Sequence, residues 1–293
     1  MVFANEERTV SLRRAISRMV ALVVSVTAMA GALSGELQPI TVAATTSTEN
    51  SGLFAYLLPL FTAETGIRVR VVAVGTGQAI RLAENGDADV LFVHHTPSEL
   101  KFVADGFGLV RHAVMHNDFV LVGPGEDPAG IRGMADIEAS LQRISAGGHV
   151  FVSRGDDSGT HKKELALWAA AATDPRPASG TWYREAGSGM GATLNIASAM
   201  GAYALTDRAT WVRFGNKGDL EILTEGDARL HNPYGVIVVN PDRHPHVHAA
   251  EAQIFIDWLL SRHGQESIAA YRVNGQQLFF PDSPTFSSGA GRE

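Results

Sequence analysis

Between positions 153 and 161 the chain reads Ser-Arg-Gly-Asp-Asp-Ser-Gly-Thr-His. A short apolar run precedes this stretch and a helical pattern follows it, so one guanidinium, three hydroxyls and two glycines gather where a helix begins. The first turn of a helix carries unpaired N–H groups and the positive end of the macrodipole, which together favour an anion. Glycine lets the backbone approach closely, and hydroxyls add donors without adding charge. Similar groupings recur as TTSTENSG (Thr45 to Gly52), GSGMGAT (Gly187 to Thr193) and the shorter GTGQ (Gly75 to Gln78). Any one of them is accounted for by ordinary Ser or Thr capping. Their recurrence matters because helix starts in an open α/β lobe collect at the carboxyl ends of the strands, where several can aim at one point. Arg154 is the sole cation in these loops. It can pair locally with Asp156 or Asp157, or make a forked contact to an oxyanion with an aspartate orienting it. Donors with few free acceptors suit a fully deprotonated oxyanion, since leaving the proton of a protonated phosphate unpaired costs ~1–3 kcal/mol.

The elements that would position these loops follow from periodicity. Ile40 to Ala44, Arg68 to Val74 and Val90 to Val93 read as strands, separated by helical patterns at Asn50 to Glu64, despite Pro59, and Thr76 to Asn85. Strands alternating with helices predict parallel βαβ units. Further strands are expected at Asn117 to Gly125, at HVFVS and at Asn232 to Asn240, and further helices at Met134 to Ser145, Gly159 to Ala172, Ala192 to Leu205 and Ala249 to Ser261. The strands near 117–123 and 235–240 each sit between complete βα blocks, which predicts two crossovers between two lobes with a hinged cleft. The expected organisation is 36–116 and 235–283 for lobe 1, 117–234 for lobe 2, and a flexible tail over 284–293. Trp168, Trp211 and Trp258 lie in apolar settings and are expected to pack in cores.

Arg8, Arg13, Arg14 and Arg18 precede an uncharged run from Met19 to Leu33 that ends in small residues, the pattern of a secretory signal peptide over 1–32. The alternative is a retained N-terminal anchor, and Arg13-Arg14 is a poor twin-arginine match. With no cysteine there is no disulfide and no thiol for a lipid at the signal junction, so a soluble periplasmic protein is expected. Taking away the four arginines and two glutamates of 1–32 changes the formal charge from −7 to −9, which disfavours nucleic acid and anionic membranes as partners.

The segments ATTSTENSGL, VGTGQAIRLAENGDADVLFVHH, NDFVLVGP, FVSRGDDSGTHKKELALW, GMGATLNIAS, LTDRATW and NPYGVIVVNPDRHPHV resemble, in this order, the tungstate-binding proteins of ABC importers. The resemblance runs from about Ile40 to Asp282. It implies an α/β, two-lobed periplasmic-binding-protein fold of type II with the ligand cleft between the lobes. It also implies capture of tungstate, and of molybdate as a near-identical ion, for an inner-membrane permease driven by an ATPase. A monomer with no cofactor and no metal is expected. The ligand positions it implies are Thr45, Thr46, Ser47, Thr76, Arg154, Ser158, Gly159 and Thr160, with Ala44 standing where the family usually has another threonine. Phosphate-binding proteins share the Arg-x-Asp-x-Ser-Gly-Thr loop, but His94 stands about where they carry an acceptor aspartate. A phosphate or sulfate receptor is the alternative of the same class.

Three other readings are weaker. VGTGQAI lacks the third glycine and the following acidic residue of a dinucleotide fingerprint, with Ile80 in the glycine's place. His244, His246 and His248, even with His94 and His95, do not have the spacing of a standard metal site. A secreted hydrolase using Ser153 or Ser158 with His161 and Asp157 has the right residue types but no nucleophile elbow.

Overall fold

The computed structural model describes residues 37–287, so the signal segment expected over 1–32 and the tail beyond Ser287 lie outside the described residues. Strand β1 (Ile40–Thr45) is buried on both faces, as a strand between parallel neighbours must be. Helices α1 (Thr46–Asn50) and α2 (Leu53–Thr65) follow where one helix from Asn50 to Glu64 is expected. The break is at Gly52, which has φ +79° and no room for a Cβ, since one would lie 2.7 Å from the Arg213 guanidinium. Pro59 stays inside α2 because it is exposed, so the carbonyl it frees meets water.

Strands β2 (Val69–Val74) and β3 (Val90–Val93) flank β1 in parallel, with α3 (Thr76–Glu84) crossing between them and α4 (Thr96–Ala104) after β3. Then comes β4 (Gly108–Pro124), longer than the strand expected from Asn117. After it come α5 (Ile137–Ala146), β5 (Phe151–Ser153), α6 (Gly159–Ala170), β6 (Tyr183–Glu185), α7 (Met190–Met200), β7 (Ala204–Asp207), α8 (Arg208–Arg213), β8 (Leu220–Thr224) and β9 (His231–Val239). The chain closes with α9 (Ala249–Leu260), α10 (Arg262–Ala270), a hairpin of β10 (Arg272–Val273) and β11 (Gln276–Gln277), β12 (Phe280–Pro281) and the helical turn α11 (Pro284–Ser287). That turn occupies the start of the stretch expected to be frayed.

β4 explains the two lobes. Up to Asp118 it pairs antiparallel with β9, whose other edge continues into β3, β1 and β2; from Phe119 onward it pairs with β7 and β8. Two apolar cores build on the first part, around Phe61, Phe92 and Phe255 and around Leu91, Phe102 and Ile237. Two more build on the second, around Trp168, Phe151 and Tyr183 and around Val120, Leu194 and Trp211. Trp168, Trp211 and Trp258 are all buried, as expected.

The helix expected from Ala192 to Leu205 is shorter and shifted. Gly201, at φ +57°, ends α7, and Ala204–Asp207 becomes β7 beside β4, with Leu205 opposite Leu121. Alanine and leucine favour helix locally, but an open strand edge in the core decides otherwise. The expected start of α5 at Met134 moves to Ile137 because Asp136 caps the helix, accepting from the N–H groups of Glu138 and Ala139 at 3.0 and 3.2 Å.

Candidate functional site

The residues singled out by sequence converge. Thr45, Ser47, Thr76, Arg154, Ser158, Gly159 and Thr160 are all buried, and Thr46 is half-buried as the first residue of α1. They meet where the ends of β1 and β3 face the loop after β5.

On the first-lobe side the hydroxyls bond mainly to one another. Thr45 Oγ1 lies 3.0 Å from Thr48 Oγ1, and Ser47 Oγ lies 3.3 Å from Thr45 Oγ1 and 3.0 Å from His94 Nε2. His94 follows directly on β3, stacks on Tyr234 at 4.9 Å and places Nδ1 2.8 Å from Asn232 Oδ1. Asn232 Nδ2 in turn donates to Asn117 Oδ1 at 2.6 Å. With Asn232 Oδ1 accepting from His94 Nδ1–H, Nε2 is left as an acceptor facing the Ser47 hydroxyl, which has a single proton to give to Nε2 or to Thr45 Oγ1. Burial holds the His94 pKa down at about 4, with the Asn232 hydrogen bond opposing and the nearby Arg154 charge adding to the depression. The imidazole is therefore neutral at neutral pH.

On the second-lobe side the groups are held but left open. Arg154 is 4% exposed, and its Nη2 donates to Asp156 Oδ2 at 2.6 Å, while Nε has no partner. Asp156 also accepts from the Ser158 N–H at 3.2 Å, so the local ion pair orients the guanidinium and shapes the loop together. Ser158 Oγ caps α6 by accepting from the His161 N–H at 3.1 Å, which leaves its own proton to donate. The Thr160 hydroxyl, on a residue 1% exposed, has no partner. The glycine loop before α7 is tied in through the Ser188 N–H, which donates to the Arg154 carbonyl at 3.3 Å.

The two sides touch. The Gly159 N–H donates to Thr76 Oγ1 at 2.9 Å, the Gly77 N–H donates to the Asp157 carbonyl at 3.0 Å, and Arg81 pairs with Asp157 at 2.9 Å. A Cβ on Gly77 would lie 1.6 Å from Asp157 Oδ2, and one on Gly159 would lie 3.1 Å from the His94 ring. This is a closed cleft.

Sequence reasoning missed three members of this site and saw His94 only as a substitute for an aspartate. Asn117 and Asn232 are opposite each other in the β4–β9 ladder, and their shared position at the head of two apolar strands was a usable signal. Asp207 is fully buried at the end of β7. Its Oδ1 accepts from the Thr210 N–H at 2.9 Å and its Oδ2 has no partner. Burial pushes its carboxyl up from the ordinary range, against the pull of nearby Thr210 and Arg154. Six buried side-chain polar atoms among the described residues lack a partner, and five belong to Asn117, Arg154, Thr160, Asp207 and Thr210. Buried donors normally find partners, so this concentration marks a place built for a polar guest.

The hydrolase arrangement does not assemble. Ser158 Oγ serves as the helix cap and Asp157 pairs with Arg81 and Lys162. Ser153 and Glu164 approach the same His161 nitrogen, Nδ1, at 3.1 and 3.9 Å, whereas a relay needs one on each side of the ring. Among the described residues, His244, His246 and His248 join no cluster of potential metal ligands.

A profile described as the PBP superfamily domain matches residues 30–263. The tungstate-binding protein TupA of Peptoclostridium acidaminophilum is 48% identical over 248 residues, covering 83% of this chain and 86% of that one. The chain belongs to the TupA family of the PBP superfamily. Two solved structures show the family's two-lobed fold. TupA from Desulfovibrio alaskensis G20 matches with TM-score 0.74 and 44% identity, over 84% of this chain and 99% of that one. The tungstate ABC transporter structure from Geobacter sulfurreducens matches with TM-score 0.73 and 48% identity, over 80% and 99%. Among the described residues, no helix is long and apolar enough to cross a membrane.

Proposed function

We propose that this protein is the solute-binding component of an ABC importer and captures tungstate, with molybdate as a second ligand, in the cleft between its lobes. The observation that carries this reading is that the Arg154 Nε and the Thr160 hydroxyl, at the same helix start, are both buried without partners, with a first-lobe wall of hydroxyls and a neutral imidazole near Arg154. A dianion enclosed there meets one fixed positive charge and preoriented dipoles in a low-dielectric setting, where each counts for more than in water. Arg154, Ser158, Gly159 and Thr160 bind from the second lobe, Thr45, Thr46, Ser47 and Thr76 from the first, and Asn117 lines the hinge. The names of the relatives support the ligand class, and the size and charge shared by the two metal oxyanions support treating them as a pair.

The finer parts of the proposal rest on sequence. The chain acts as a monomer without enzymatic activity, exported by a cleaved signal segment over 1–32, and delivers its ligand to an inner-membrane permease with its ATPase. The lobes divide as 36–116 with the return segment, and the stretch beginning at 117. The return to the first lobe begins at 235 and runs to 283; the pairing of His231 and Asn232 with Asp118 and Asn117, where β4 changes partners, supports a crossing close to that point.

Calorimetric titration with tungstate, molybdate, sulfate and phosphate tests the reading: the first two should bind far more tightly, and preference for phosphate or sulfate would overturn it. Asp207 favours phosphate if ionised, because a bare carboxylate would accept the proton of hydrogen phosphate. If protonated, as its burial favours, it donates to a fully deprotonated oxyanion. Asp207→Asn distinguishes the two, since asparagine keeps a donor and the α8 cap: retained tungstate affinity supports the donor role.

A further inference from the structure

The ribbon that carries Asn117 and Asn232 into the cleft has a second face. Successive residues of a strand point to opposite sides, so His116 on β4 and His231 on β9 face away from the buried asparagines. There His116 Nδ1 lies 2.7 Å from Asp282 Oδ1, and the two imidazoles are 4.7 Å apart between centroids. Asp282 arrives from the C-terminal segment just after β12, in which Phe280 is in register with His116. One ligand atom from each of His116, His231 and Asp282 falls within 4.8 Å of the others. His116 and His231 line a cavity of about 420 Å³ together with Asp118, Arg208 and Gln277.

We propose that His116, His231 and Asp282 bind a divalent transition-metal cation of the zinc class on the outer face of the hinge. Two imidazoles and a carboxylate are a ligand set that borderline cations favour, and the adjoining cavity leaves room for water at the remaining coordination positions. The surrounding charges leave this set available. Asp118 holds Arg208 at 2.6 and 2.7 Å, Arg208 also holds Glu225 at 2.7 Å, and Asp227 holds Arg229. Lys163 donates to the His231 carbonyl rather than to a ligand atom. The cation would clip the C-terminal segment to both strands that join the lobes. The histidine-rich run at 244–248, the obvious candidate in the sequence, is directed elsewhere: His244 and His246 contact the Glu84 and Gly86 carbonyls at 2.9 Å.

The test uses untagged full-length protein stripped of metal with a chelator. Zinc chloride should bind one ion per chain by calorimetry and raise the thermal midpoint, and zinc-edge absorption should show two imidazoles and a carboxylate oxygen. His231→Ala, at an exposed position, and Asp282→Asn should each weaken zinc binding by at least about tenfold, since even outer-shell ligand partners are typically worth that much. Both should keep the parent's oxyanion affinity without zinc. The paired substitution His246→Ala with His248→Ala should leave zinc binding unchanged. The proposal is overturned if the parent protein shows no saturable zinc binding, if His231→Ala binds zinc as the parent does, or if the 246/248 pair abolishes binding.

Discussion

The two walls of the cleft solve opposite problems. The first-lobe wall is largely satisfied: Thr45, Ser47, Thr48, His94 and Asn232 run hydrogen bonds from one to the next as far as Asn117 Oδ1, the imidazole among them is neutral, and only the Asn117 Nδ2 at the end of the chain is left open. The second-lobe wall is incomplete, with the Arg154 Nε, the Thr160 hydroxyl and the Asp207 Oδ2 all buried without partners. A buried unpartnered polar group costs about 1–3 kcal/mol, more for a charge, so the protein concentrates this cost on one wall. In the proposed reading, one wall offers open polar groups to the guest and the other a neutral polar surface.

The largest effect should come from removing the charge of the incomplete wall. Arg154→Ala should weaken tungstate binding by ~2–4 kcal/mol in calorimetry, while Thr45→Ala, on the satisfied wall, should change it by less than about 1 kcal/mol. Equal losses from both would erase the distinction. Next comes acid stability. His94 has a pKa near 6.5 when unfolded and about 4 when folded, so the unfolded state binds the extra proton between those values. Its neutral burial is harmless above pH 6.5 and destabilises progressively as pH falls toward 4, by about 3 kcal/mol in all. Urea unfolding of ligand-free His94→Gln against the parent at pH 7.5 and 4.5 should show the variant losing that much less on acidification.

Thr160→Val keeps the shape and removes the open hydroxyl. It should cost about 1–3 kcal/mol in oxyanion binding yet leave thermal stability unchanged or raised, because no internal bond is lost. Ser47→Ala should do the reverse, lowering stability with the smaller loss in binding. Gly77→Ala should cost about 1–2 kcal/mol in affinity. Its Cβ must push aside Asp157 Oδ2, and ligand-induced compaction in small-angle scattering should shrink with it.

Much of the fold was legible because it rests on short-range patterns. β1, β2, β3, α3, α6 and β9 lie within a residue or two of where the periodicity places them, since apolar runs, glycines and capping hydroxyls act locally. The errors fall where a distant partner decides. Gly52 breaks a helix because Arg213 and Tyr271 occupy its Cβ position, and Ala204–Asp207 leaves a helix for the open edge of β4. The site divides in the same way. The hydroxyl loops and Arg154 announce themselves as donors at helix starts, whereas Asp207 and Asn117 become part of the site only through burial and pairing.

The sequence alone determined the donors and their one accompanying charge, because residue type dictates what a group can give or accept. Which of those donors are already engaged depends on contacts between segments far apart in the chain, such as Ser47 with His94, Asn232 with Asn117, and Gly159 with Thr76. Only the folded arrangement could decide that the first-lobe hydroxyls are satisfied while Arg154 Nε and the Thr160 hydroxyl are not. A hydrogen bond needs angstrom-scale proximity, and a linear order of residues does not specify it.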